Sequence, residues 1–259
     1  MGTENKTKIN RLITQWTPGT PGVTSYLNAS GFGRDLLVKY KNSGWLESFG
    51  RGAYIRSGDT VDWLGALYSL QHQLALPVHA GGKTALELQG YAHYLPVKKK
   101  DVFLYVPQGL TLPSWFTGDR FGVTLVLTRT NMLPPDRAQG FSEFKERGFS
   151  VRIAAPERAA MEMFHLVPRK VGFDEARLIM ENLVTLRPDV VQKLLAACRS
   201  VKVKRLFLYM AERCAHPWVS KLDISKVDLG RGKRMIVPNG RYDAKYRITV
   251  PAGREEMPA

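Results

Sequence analysis

Arg34, Lys39, Lys41 and Asn42 lie within the stretch 34–42, and Arg51 follows between two glycines. Their side chains carry donors that reach phosphate oxygens and base edges of a nucleic-acid duplex. A second chemistry is suggested by His79-Ala80-Gly81-Gly82-Lys83-Thr84, which ends like a phosphate-binding loop. The full loop needs a glycine five positions before Gly82, and Pro77 holds that place. No downstream acidic residue stands out as a magnesium ligand, so an ordinary glycine loop entering a helix is expected. His72, His79 and His93 have no metal-ligand spacing, and no serine sits in a G-x-S-x-G elbow. The acidic residues form no distinctive pair. No catalytic residue, metal or other cofactor is expected, and the chain reads as a non-enzyme.

The first set must be positioned by residues 23–56. Thr24 and Ser25 offer side-chain oxygens to the start of a short helix, which Gly31 closes in the left-handed conformation. Gly33 is a tolerable N-cap, and Phe32 and Leu37 are spaced as a hydrophobic staple. From Arg34 to Asn42 the period is helical, with Leu36, Leu37 and Tyr40 on one face. Arg34, Val38 and Asn42 take the other face, flanked by Asp35, Lys39 and Lys41. Gly44 stops the helix. Trp45–Phe49 and Ala53–Ile55 around Gly50-Arg51-Gly52 predict a hairpin with Arg51 at its tip. Helix, turn, helix and basic hairpin together make a winged helix-turn-helix, which lays one helix in a major groove. The expected DNA contacts are Thr24, Ser25, Arg34, Val38, Lys39, Lys41, Asn42, Arg51 and Arg56. The competing reading is an ordinary surface with solvated charges, but the complete order of elements is rarer than any of its parts.

The chain of 259 residues is 44% hydrophobic, which fits a globular protein, and its formal charge of +15 favours polyanionic or acidic partners. The charge is uneven. Residues 1–60 carry +4, residues 61–140 carry +2, and residues 141–259 carry +9. The reader is only mildly basic, so a second binding surface is expected in the tail. Cys198 and Cys214 read as free thiols in helices. No signal-peptide core or membrane-length apolar run occurs, so a cytoplasmic location and no membrane partner are expected.

Residues 5–16 read as a leading helix that PGTPG at 18–22 breaks. Thr60–Ala75 is predicted as one amphipathic helix capped by Asp59 or Thr60, and Thr84–Gln89 as another. Val102–Val106, Val123–Leu127 and Val151–Ala154 read as strands, and 128–150 as a loop-rich connection. Pro156 opens a helix; Phe173–Leu186, Pro188–Cys198 and Val201–Cys214 follow as three more. On the last, Lys202, Arg205, Tyr209 and Arg213 oppose an apolar stripe. They form either a binding face or an ordinary solvated one. Lys233–Val237 and Arg241–Val250 around Pro238-Asn239-Gly240 predict a terminal hairpin, with Arg231 and Arg234 adding charge. The expected fold class is α/β (α+β): a winged helix-turn-helix at 1–78, then a mixed α/β domain at 79–259 ending in a β-hairpin.

The run GWLESFGRGAYIRSGDTVDWLGALYSLQHQLALPVHAGGKTALELQGYAHYLP resembles the AbiEi antitoxins of abortive-infection (type IV) toxin–antitoxin systems. So do LRPDVVQKLLAACRSVKVKRLFLYMAERC, LGRGKRMIV and GRYDAKYRITVP, and the likeness runs from about Leu12 to Pro251. The resemblance implies a two-job protein of phage defence. Its winged domain binds inverted repeats in its own promoter and represses the operon. Its C-terminal domain counteracts a nucleotidyltransferase-like toxin, by direct contact or otherwise. The antitoxin surface it implies here is Lys202, Arg205, Tyr209, Arg213, Arg231, Lys233 and Arg234. Either a monomer that pairs on DNA or a standing dimer satisfies this reading. The alternatives are a stand-alone winged-helix regulator with a ligand or dimerisation domain, and a nucleotide-dependent enzyme using Gly81–Thr84.

Overall fold

A computed structural model describes residues 3–92, 99–134, 140–146 and 148–252, with side chains from Lys8 onward apart from those gaps. His93 lies outside the described residues. The chain divides into two units. The first gathers Met1–His79, Pro96–Arg129 and Glu143–Arg152, and the second Ala80–Leu95, Thr130–Ser142 and Ile153–Ala259.

The first unit opens with helix α1 (Thr3–Gln15), strand β1 (Gly22–Val23), α2 (Thr24–Ala29), α3 (Arg34–Asn42), β2 (Leu46–Gly50) and β3 (Ala53–Arg56). The strands form a sheet of order β1-β3-β2, antiparallel throughout. Leu12, Trp16, Leu27, Phe32, Leu37 and Leu46 fill the core between the helices and this sheet. Glycine is required at position 22, because a Cβ there would lie 2.4 Å from the Trp16 ring. This is a winged helix-turn-helix. Next comes α4 (Trp63–Tyr68), which begins later than the predicted 60–75 helix and is capped by Asp62 accepting from Gly65 N at 2.9 Å. It widens into a π-turn over Ser69–Gln73. There the Ser69 hydroxyl and Gln73 Nε2 donate to the Pro21 carbonyl, and Gln73 Oε1 accepts from Val23 N, so two side chains tie the turn to the winged core.

The largest sheet has order β6-β5-β4-β8-β7. Its strands are β4 (His79–Ala80), β5 (Asp101–Val106), β6 (Thr124–Arg129), β7 (Phe141–Glu146) and β8 (Phe149–Ala154). β5 and β6 pair in parallel from Asp101↔Thr124 to Val106↔Arg129. The expected loop-rich connection over 128–150 therefore holds the whole of β7: its alternation of half-buried and exposed residues is a strand pattern that the charges concealed.

The second unit is built on α5 (Gly82–Leu88), α6 (Pro156–Leu166), α7 (Phe173–Glu181), α8 (Pro188–Ala197) and α9 (Val201–Arg213). α7 stops well short of Leu186. Leu183 and Leu186 are buried from an irregular segment instead, with Leu183 N bonded to Met180 O. α9 is buried at every position from Val203 to Ala211, and Phe207 meets Phe164 edge-on at 6.1 Å. The chain ends in a small sheet of order β10-β11-β9, from β9 (Arg234–Met235), β10 (Arg241–Asp243) and β11 (Ile248–Val250). The terminal hairpin joins β10 to β11, so its turn lies at 244–247 and not at Pro238-Asn239-Gly240. Asp243 Oδ1 accepts from Tyr246 N at 2.8 Å and Arg247 takes φ +52°, which folds the predicted long strand back on itself.

Candidate nucleic-acid interface

α3 is held by its buried side, Leu37 and Tyr40, with Leu36 half-buried. Gly33 is its N-cap and Gly44, at φ +77°, follows its end. Phe32 and Leu37 share the core cluster, as a staple requires. The opposite side is open: Arg34, Val38, Lys39, Lys41 and Asn42 are all exposed. Arg34, Lys39 and Lys41 make no ion pair among the described residues.

The wing stands beside this helix. Gly50 and Gly52 take positive φ, and Arg51 is exposed between them. Thr24 and Ser25 are the first residues of α2, where Val23 is the N-cap and no side-chain cap bond forms. The expected capping role is therefore corrected: the Thr24 amide donates instead to Gly52 O at 2.9 Å, tying α2 to the wing turn. Ser25 is exposed and Thr24 half-buried. Arg56 differs from the other cations. It forms a two-bond pair with Asp59 at 3.0 Å, and Asp59 also accepts from Gly19 N. Arg56 thus ties the wing's exit to Asp59 through Nε and Nη2. Sequence reasoning gave no role to Tyr26 and missed that Trp45 faces solvent; the two are 45% and 52% exposed on this module.

Two family models match the chain. "Transcriptional regulator, AbiEi antitoxin N-terminal domain" covers residues 5–97, and "Transcriptional regulator, AbiEi antitoxin, Type IV TA system" covers 99–251. The chain belongs to the AbiEi antitoxin family. It is also similar in fold to the crystal structure of the RV2827C protein from Mycobacterium tuberculosis, at TM-score 0.57 and 14% identity. That likeness covers 96% of this chain and 91% of the other. No curated protein matches the chain.

The tail cations of this AbiEi-family protein fall into two groups. Arg231, Lys233 and Arg234 are exposed, and Lys233 Nζ lies 4.9 Å from the Tyr242 ring centre. The strip expected along α9 is not a surface, because other segments cover that side too. Arg205 is 1% exposed and donates to the carbonyls of Leu229, Gly230, Gly232 and Arg247. Burial, then repulsion from Arg234 and Arg247, lowers its pKa. Tyr209 is buried edge-on against Tyr246. Lys202 is half-buried on the carbonyls of His165 and Val167, and burial lowers its pKa. Only Arg213 of that strip is exposed, with its guanidinium 5.8 Å from the Tyr209 ring centre.

The glycine loop has a structural occupation. Gly82 N donates to Glu162 Oε2 at 3.2 Å, so a buried carboxylate of the chain sits at the start of α5. Arg158 neutralises that carboxylate at 2.8 Å, and Lys83 pairs with Glu175 at 2.5 Å. His79 is buried and stacked on Tyr105, and exposed His72 stacks on Tyr68 at 4.4 Å. Among the described residues no group of three or more His, Cys, Asp or Glu could hold a metal ion. Both cysteines are free, and burial pushes both thiols up. No described helix is long and apolar enough to cross a membrane.

Proposed function

We propose that this protein is a cytoplasmic antitoxin and autorepressor that acts by binding, without catalysis or a cofactor. Its winged module, residues 1–78, reads inverted repeats in its own promoter, and residues 79–259 counteract a nucleotidyltransferase-like toxin. The observation that supports the reading is the open face of α3, where Arg34, Lys39, Lys41 and Asn42 stand exposed, together with the exposed Arg51 at the wing turn. An inverted repeat brings two copies to the duplex, whether they pair before binding or on it. The exposed cations Arg213, Arg231, Lys233 and Arg234 are the antitoxin surface in this proposal.

A mobility shift on the chain's own upstream duplex, paired with coexpression of the neighbouring toxin gene, tests the division. Arg34→Ala or Lys39→Ala should weaken the shift and flatten its salt dependence by about one counterion each, while protection persists. Loss of both activities in a folded variant would refute the division of labour.

A further inference from the structure

We propose that Arg120 is a second phosphate-binding cation of the wing, delivered from outside the winged module and set beside Arg51. This rests on the DNA-reading proposal above and extends its contact surface past residue 78.

The wing is not a free-standing hairpin. Phe49 packs against Trp115 at 5.9 Å and Phe121 at 6.3 Å, and Phe116 touches both of those rings. Trp115 and Phe116 are buried. Gly50 takes φ +126°, and a Cβ there would lie 2.9 Å from Trp115 Cβ, so the wing approaches this segment as closely as a glycine allows. Arg120 comes with the segment. Its guanidinium carbon lies 4.6 Å from the Phe49 ring centre, and its Nη2 lies 3.7 Å from where a Gly50 Cβ would be. Arg51 is the next residue along.

Three features make Arg120 a binding group and not only a cover for Phe49. It is exposed. It has no ion pair among the described residues, since the neighbouring Asp119 pairs with Lys99 at 3.0 Å. Its guanidinium carbon stands over the Phe49 ring, a contact that restricts the side chain while its N–H donors can still serve a phosphate. A cation fixed on the flank of the wing suits a backbone oxygen and carries no base information of its own.

The test is equilibrium binding of the full chain to its own promoter duplex and to a scrambled duplex of equal length, from about 50 to 200 mM salt. Arg120→Gln keeps a stem over Phe49 and removes the charge. The expected result is a similar loss of affinity for both duplexes, with the salt slope shallower by about 0.9. The penalty then shrinks about 3.5-fold across that salt range. Arg51→Gln should show a comparable decrement, and the double variant about twice it. An Arg120→Gln slope equal to wild type overturns the proposal, whether affinity is unchanged or reduced; a reduction at constant slope would mark a purely structural effect on the wing. Flattening by Arg51→Gln alone sinks this proposal and leaves the DNA reading standing. Failure of the wild-type chain to bind its promoter sinks both.

Discussion

Arg205→Met is the most informative perturbation of the carboxy-terminal half. The guanidinium lies buried under the 229–232 loop, with Nε 2.7 Å from Leu229 O, Nη1 2.7 Å from Gly232 O and 3.3 Å from Arg247 O, and Nη2 3.0 Å from Gly230 O. Methionine fills most of the volume but leaves the carbonyls of Leu229, Gly230 and Gly232 without this donor, while Arg247 O keeps Arg234 N at 2.9 Å. At roughly 1 kcal/mol for each carbonyl left unpaired the ceiling is about 3 kcal/mol, and water entering an opened loop returns part of it. The expected destabilisation is about 1–3 kcal/mol in urea unfolding of the full chain. Limited trypsin digestion supplies a local readout, because Arg231, Lys233 and Arg234 are exposed on the stretch that Arg205 anchors. Cleavage there should accelerate well before global unfolding, and Arg205→Lys should fall between wild type and Arg205→Met. A variant within about 0.5 kcal/mol of wild type, digested at the same rate, would show that the four bonds contribute nothing and would refute the reasoning.

Glu157 should make the second unit acid-sensitive. Burial alone would raise its pKa, but the side-chain and backbone donors of Arg187 outweigh it and hold the carboxyl below its ordinary value. A depressed folded pKa stabilises above the unfolded value of about 4.3 and loses that contribution as pH falls through the folded value. Urea midpoints compared at neutral pH and below about pH 4 should therefore show a steeper acid loss in wild type than in Glu157→Gln. Gly65→Ala should cost about 3 kcal/mol or more, since its Cβ would lie 2.0 Å from Gly19 O. That predicts a thermal midpoint lower by roughly 6–12 °C. Gly33→Ala, where a Cβ meets nothing within 4 Å, should move the midpoint by far less.

The reader was legible because its signals are local. Gly33, Gly44 and the period of Leu36, Leu37 and Tyr40 give α3 its observed bounds, Arg34–Asn42, and Gly50-Arg51-Gly52 sets the wing turn. Signals failed where distant segments decide. The amphipathic look of α9 hid a helix buried on all sides, because the carbonyls that satisfy Arg205 come from 24 to 42 residues away. Leu183 and Leu186 continue the α7 period but are buried from an irregular segment, so periodicity overran the helix end. The Asn-Gly pair promised a hairpin, yet Asp243 and Arg247 made the turn elsewhere; a side-chain cap and one left-handed residue outweighed the stronger dipeptide signal. At the candidate site, exposure of the α3 cations followed from the helix period. The pairing of Arg56 with Asp59 and the placement of Arg120 against Phe49 did not, since neither leaves a mark on the pattern of apolar residues.

The aromatic bracket at 115–121 has a practical consequence for anyone wishing to graft the winged module of this transcriptional-regulator family onto another protein. Transplanting only the first eighty residues into another scaffold would strip Phe49 of its neighbours and leave the fingertip unsupported. A working chimera should carry Trp115, Phe116 and Phe121 along with the recognition helix, so the exchangeable cartridge is discontinuous in the gene even though it is contiguous in space.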